Sequence, residues 1–142
     1  MNNYFDELLK ITNKAFKKNE VPVGALIVQN NKIIAKAYNK RNKKHDIINH
    51  AEIIVIRKAA NKLKDWRLNG CELYVTLEPC NMCKEIIKQS RIDNVYYLVD
   101  KYSYKKEYGK TKFKQVSGKE YGFQQKEYSE LLTKFFKLKC KR

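Results

Sequence analysis

Helical and strand periodicities alternate along this chain, which predicts an α/β protein with a sheet layered between helices. Three observations carry that expectation. Two short apolar, β-branched runs flank an Asn30-Asn31 turn and read as a hairpin. A strongly strand-like run, Glu72 to Leu77, leads through Pro79 into a helical pattern. Amphipathic stretches occupy both ends of the sequence.

Taken in order, Phe5, Leu8, Leu9, Thr12, Ala15 and Phe16 recur at helical spacing, so residues 4–18 are expected to form an amphipathic helix. Val23 to Val28 and Lys32 to Ala37 form the two arms of the hairpin. Residues 38–49 are polar and unpatterned, as in a loop. From His50 to about Lys64 a buried helix is expected, with Ile53, Ile54, Ile56, Ala60 and Leu63 on its inner side. Asn69-Gly70 breaks it before the strand of residues 72–77. Pro79 fits an early helical position, where its missing N–H costs nothing, and the helix runs to about Gln89. Val95 to Val99 is a further strand. Residues 100–127, rich in lysine and tyrosine, read only as short extended pieces. Tyr128 to Lys139 closes the chain with a helix carrying Leu131, Leu132, Phe135, Phe136 and Leu138.

A length of 142 residues suits one domain with a real core. It divides into a core of about residues 20–99, a variable basic and aromatic segment at 100–127, and a terminal helix at 128–139. No apolar run approaches the roughly 18 residues that span a bilayer, and the N-terminal residues lack the basic-then-apolar order of a signal peptide. A soluble, cytoplasmic protein without membrane attachment is expected. The 31 basic and 15 acidic residues leave a net charge of +16, which suits a polyanionic partner. The abundance of Lys, Asn, Ile and Tyr beside scarce Arg also fits an A/T-biased coding sequence.

The chemistry is concentrated in a split constellation, His50-Ala51-Glu52 and then Pro79-Cys80-Asn81-Met82-Cys83. It offers three zinc-type ligands, His50, Cys80 and Cys83, where a closed structural site would need four. Beside them stands a carboxylate, Glu52, that need not bind metal. The pattern is a known signature of zinc-dependent nucleobase deaminases. Cys80 and Cys83, three apart, are neighbours on one helical turn, where the amide dipoles favour thiolate. His50 and Glu52, two apart, reach one centre only if it lies across the N-terminal end of their helix. Two helix N-termini are therefore expected to converge on one zinc. Zinc lowers the pKa of bound water from 15.7 to roughly 7 in an all-histidine site. Two thiolates cancel the metal's formal charge and weaken that effect, so a general base is needed, and Glu52 is the candidate.

Other readings of these residues are weaker. A redox Cys-x-x-Cys normally follows a strand with aromatic or Gly-Pro context, absent around Asn81-Met82. A structural zinc site lacks its fourth ligand, since His45, Cys71 and Cys140 complete no recognisable spacing. His45 reads as a surface residue, and Cys71, opening a strand, as buried filler.

The sequence resembles the bacterial tRNA-specific adenosine deaminases of the cytidine deaminase-like superfamily. The resemblance rests on Glu20-Val21-Pro22-Val23-Gly24-Ala25, Tyr38-Asn39-Lys40, His45-Asp46, Trp66-Arg67-Leu68, Leu73 to Cys80, Ser90-Arg91-Ile92 and the ending Leu131 to Lys137, in order and spacing. It implies a three-layer α/β/α cytidine deaminase-like fold, with a mixed central sheet of about five strands flanked by helices. It also implies deamination of adenosine to inosine at the first anticodon position of a tRNA, chiefly an arginine acceptor. By the same resemblance the enzyme is a homodimer with one zinc per subunit, and the anticodon arm contacts both subunits. Asn39 would hydrogen-bond the flipped base, Val23 would wall the pocket, and the N–H of Ala51 or Cys80 would face the reacting oxygen. Phe136, with Lys134, Lys137 and Lys139 on the same helix, would lie near the RNA.

The chain departs from the family in three places. Lys84-Glu85-Ile86 replaces a small, glycine-containing stretch, and Ile47-Ile48-Asn49 replaces Pro-Thr-Ala. After the strand ending near Val99 stands Asp100-Lys101-Tyr102-Ser103-Tyr104, with either Asp100 or Lys101 at the position of a family aspartate that contacts the anticodon. Tyr102, Tyr104 and Tyr108, interleaved with lysines, could stack on unpaired bases. Two alternatives stay open on sequence: a deaminase of free guanine, cytosine or their nucleosides, and a zinc-stabilised RNA-binding module without activity.

Overall fold

A computed structural model of the chain describes residues 3–100 and 111–139. Lys101, Tyr102, Tyr104, Tyr108 and Cys140 lie outside the described residues. The elements are α1 (Tyr4–Lys17), β1 (Gly24–Gln29), β2 (Lys32–Tyr38), α2 (Arg41–Lys44), α3 (Ala51–Leu63), β3 (Cys71–Leu77), α4 (Asn81–Gln89), β4 (Asn94–Val99), β5 (Lys112–Gln115), a 3-10 turn (Lys119–Tyr121) and α5 (Gly122–Lys139). Among the described residues no helix is long and apolar enough to cross a membrane.

The five strands form one mixed sheet in the order β2-β1-β3-β4-β5. β1 runs antiparallel to both β2 and β3, whereas β3, β4 and β5 are parallel. The hairpin between β1 and β2 turns at Asn30 and Asn31, with φ of 51° and 62°. Two consecutive positive φ values match the right-handed strand twist, and Asn tolerates them better than most residues.

Alternation along the strands sends side chains to two cores. Ala25, Ile27, Leu73, Val75, Val95 and Tyr97 face one layer, where Ala51, Val55, Ile56 and Ala59 of α3 and Ile87 of α4 pack on them. Leu26, Val28 and Leu98 face the other, against Phe5, Leu8 and Leu9 of α1 and Tyr128 of α5. This is a three-layer α/β/α arrangement. The Asn3 side chain accepts from Phe5 N–H at 3.0 Å and caps α1, with Asp6 and Glu7 in its first turn. α1 then approaches β1 so closely that a Cβ on Gly24 would stand 2.6 Å from Thr12 Oγ1.

Within residues 38–49, expected as a loop, β2 runs to Tyr38 and Arg41–Lys44 form the short helix α2; the boundaries of α4 and α5 also differ from expectation. Pro79 precedes α4 instead of opening it, because Cys80 is the N-cap residue, with φ −69° and ψ 169°. An extended Cys80 is what lets its thiol project from the helix end. The terminal helix begins at Gly122, not Tyr128. Its first turns are polar, so apolar periodicity could not reveal them, yet Gln124 Nε2 donates to Asp6 Oδ1 at 3.1 Å and ties them to α1.

The departure at Lys84 has a structural counterpart. Its Nζ lies 2.8 Å from Glu78 Oε2, with side-chain exposures of 9% and 1%, and 5.6 Å from the centre of the Phe113 ring on β5. A buried pair of this kind clamps the end of β3 to α4. Removing Lys84 takes away the cation that faces the buried Glu78 carboxylate, so Lys84→Met is expected to destabilise the zinc-loaded protein by about 3 kcal/mol in denaturant unfolding. A loss below about 1 kcal/mol would show that the pair contributes nothing beyond packing.

Candidate active site

The N-terminal ends of α3 and α4 meet beyond the C-terminal end of β3, the central strand. His50 is the N-cap residue of α3, with φ −72° and ψ 152°, and Cys80 holds the same place on α4. Neither side chain caps its own helix, so both are available to a shared centre. Cys83 lies three residues on, in the first turn of α4, and is fully buried. His50 N–H is held by the Ile48 carbonyl at 2.7 Å, and Ile48 N–H by Asp46 Oδ1 at 3.0 Å, which fixes the approach to α3.

His50 Nδ1 lies 3.9 Å from Cys80 Sγ and 3.5 Å from Cys83 Sγ. The three ligand atoms fall within 4.8 Å of one another. Tetrahedral zinc with ordinary bond lengths needs imidazole nitrogen and thiolate sulfur about 3.6 Å apart. The donor separations therefore suit that ion, and an imidazole with two thiolates is a donor set that zinc favours. Among the described residues no fourth His, Cys, Asp or Glu joins the cluster.

The cysteines divide sharply. Hydrogen bonding from Cys83, and then from His50, lowers Cys80 to a pKa of about 3 despite the opposing effect of burial. Cys71, enclosed at the start of β3, is pushed the other way by burial and by Asp93. One is a thiolate ready to bind metal; the other is an inert thiol.

Beside the donors is a small cleft of about 90 Å³ whose walls include Val23, Asn39, His50, Glu52 and Cys80. Glu52, in the first turn of α3, is 3% exposed. Burial first, and then the charge of Glu52, hold the Tyr128 phenol of α5 above its ordinary range, so Glu52 is felt across the sheet. Asn39 Oδ1 accepts the N–H of Ala51 at 2.7 Å. The two residues expected to meet substrate separately are thus bonded to each other, and the Ala51 amide is spent on orienting Asn39.

Asp100 follows β4 and is exposed, outside the cleft lining. Phe136 is half exposed on α5, edge-on to Phe135, and also outside the cleft. Lys134 and Lys137 line a separate groove on α5. Sequence reasoning missed Val21, Arg41, Leu77 and Glu78 as cleft residues. Val21, Leu77 and Glu78 belong to motifs already singled out, whereas Arg41 lies in a loop without pattern.

Residues 1–99 match the family of the cytidine and deoxycytidylate deaminase zinc-binding region. The chain belongs to that family. The deaminase donor set of His50, Cys80 and Cys83 fits one Zn²⁺ per subunit. Over 94 residues, 66% of its length, the chain is 47% identical to the tRNA-specific adenosine deaminase of Bacillus subtilis (strain 168), and the match spans 58% of that protein. A solved structure from studies of A-to-I editing by tRNA:A34 deaminases superimposes with a TM-score of 0.72 at 34% identity, covering 80% of this chain and 97% of that one. Guanine deaminase from Bacillus subtilis superimposes with a TM-score of 0.66 at 25% identity, covering 92% and 95%.

The cysteine contrast is directly measurable. In metal-free protein, Cys80 is already thiolate well below neutrality, so its alkylation by iodoacetamide is expected to be nearly flat from about pH 5 to pH 8. An ordinary thiol would instead speed up about tenfold per pH unit over that range. Peptide mapping showing such a rise at Cys80, or equal labelling of Cys71 in the folded protein, would contradict the assignment.

Proposed function

We propose that this chain hydrolytically deaminates adenosine to inosine at the first anticodon position of a tRNA, chiefly an arginine acceptor. The observation that carries the chemistry is a buried carboxylate, Glu52, sharing one small cleft with His50, Cys80 and the side chain of Asn39. Sequence identity to tRNA-specific adenosine deaminases supports the substrate. The net charge of +16 suits RNA better than a small neutral base.

Zinc held by His50, Cys80 and Cys83 supplies a Lewis acid that eases deprotonation of water. Glu52 takes the proton of the attacking water and delivers it to the purine ring nitrogen. It then takes the proton of the newly added hydroxyl and passes it to the exocyclic amine, so that the C–N bond breaks as the carbonyl forms. Water has added at the amine-bearing carbon and ammonia departs, leaving inosine. Enclosure of Glu52 keeps bulk water from competing for these transfers. With its oxygen committed to Ala51, Asn39 has its Nδ2 donor left for an acceptor on the base, and Val23 forms an apolar wall against the ring. A base splayed from a single-stranded loop costs little to extrude into such a cleft.

We further infer a homodimer. Ile47, Ile48 and Met82 are exposed at 72%, 45% and 39% beside the two ligand-bearing helix starts, an apolar surface that a second copy would cover. The similarity to guanine deaminase supports a second reading, a free-base enzyme. Faster turnover of guanine than of an anticodon stem-loop would favour it.

Glu52→Gln keeps the shape of the side chain and removes its basicity. The variant is expected to retain one zinc per subunit and to form inosine in an adenosine-containing anticodon stem-loop about 10²–10⁴-fold more slowly than the parent. Unchanged inosine formation would remove Glu52 from the mechanism.

A further inference from the structure

Arg41 stands out at the cleft for what it lacks. It opens α2, and its side chain lines the same cleft as Asn39, Glu52 and Cys80. Its Nε is buried without a hydrogen-bond partner, and no carboxylate among the described residues pairs with it. The acids nearest in the loop are engaged elsewhere. Glu20, 2% exposed, accepts Asn42 N–H at 3.0 Å and Lys43 N–H at 2.8 Å. Asp46 Oδ1 accepts Ile48 N–H.

The same bonds make the placement of Arg41 deliberate. Glu20 accepts the N–H groups of Asn42 and Lys43, the two residues after Arg41, and Asn42 Nδ2 donates to the Asn19 carbonyl at 2.6 Å. Asp46 N–H closes the loop back onto the Arg41 carbonyl at 3.1 Å. A cation is therefore held at the cleft wall by a braced loop, with Glu52 and Glu78 in the same lining but no salt bridge to either among the described residues. Hydrogen bonding from Lys18, together with the charges of Lys18, Lys40 and Lys43, lowers the phenol of Tyr38, three residues before Arg41. A buried guanidinium donor without an acceptor is costly, so the acceptor is expected to arrive with the ligand.

We propose that Arg41 is a phosphate subsite, binding a phosphodiester that flanks the nucleotide inserted into the cleft. Guanidinium suits this role because its planar fork matches phosphate oxygens and its charge persists at any working pH. A free base carries no phosphate and gains nothing from this contact, so Arg41 selects nucleotides within a chain over free bases. The inference rests on the reading of the substrate as RNA and names how that substrate is recognised.

The test uses zinc-loaded protein and an adenosine-containing anticodon stem-loop, together with two versions carrying a neutral methylphosphonate on one or the other side of the target adenosine. The parent protein is expected to lose about tenfold to a hundredfold in kcat/KM on one of the two neutralised RNAs. Arg41→Gln should lose a similar factor on the native RNA and nothing more on that neutralised one. Arg41→Lys should recover part of the loss. Losses that multiply in the combination, or an Arg41→Gln protein equal to the parent, would overturn the subsite. Binding is measured separately with Glu52→Gln protein, in which turnover is slowed. There, adding Arg41→Gln is expected to reduce the slope of log K against log salt by about 0.7, the share of one phosphate contact on a single strand. An unchanged slope contradicts the subsite. Absence of inosine with the parent protein on every RNA would instead refute the wobble-deaminase reading, while the salt slope still decides the role of Arg41.

Discussion

The convergence of two helix N-termini beyond the C-terminal end of the central strand β3 is the constraint on which the rest depends. His50 and Cys80 are N-cap residues, so each is extended while the residue after it is already helical. A donor at such a position points away from its helix, and two helices packed on the same face of the sheet aim their donors at one point. Parallel pairing of β3 with β4 fixes the direction of β3, and so of the turn that delivers Cys80. The buried contact of Lys84 with Glu78 secures that turn from below.

Electrostatics then separates groups that composition alone would not distinguish. Cys80 and Cys71 are chemically identical, yet one is lowered by the bonds of its neighbours and the other raised by enclosure. Acidic residues part in the same way. Glu78 neutralises Lys84, Glu20 braces the loop of Arg41, and Glu52 lines the cleft beside the zinc donors. Glu52 alone of these three lines the cleft and has neither the Lys84 pairing nor the loop-bracing role of the other two, which is why the proposed proton transfers are given to it.

Much of this was legible in the sequence, for physical reasons that can be named. The period of apolar residues marks α1 to within one residue, because that helix is amphipathic against a single layer. The Asn30-Asn31 pair signals the hairpin because few other residues accept two left-handed conformations in succession. The spacing of His50, Glu52, Cys80 and Cys83 requires helix ends, since two residues two apart cannot share a face within a helix. What stayed hidden was long-range. The polar start of α5 is held by Gln124 and Asp6, 118 positions apart, a contact no local pattern encodes. Arg41 was obscured because its significance lies in the partners it does not have, and Ala51 because its amide turned out to serve Asn39.

The donor set of His50, Cys80 and Cys83 offers zinc one nitrogen and two sulfurs and leaves one position open for chemistry. X-ray absorption spectroscopy of the zinc-loaded protein tests it most directly. Two sulfur donors and one nitrogen donor per zinc are expected, with a fourth, light-atom donor that exchanges for a competing ligand such as an inhibitor oxygen or halide. A closed shell of four protein donors, with a third sulfur or a second histidine and no exchangeable position, would contradict it.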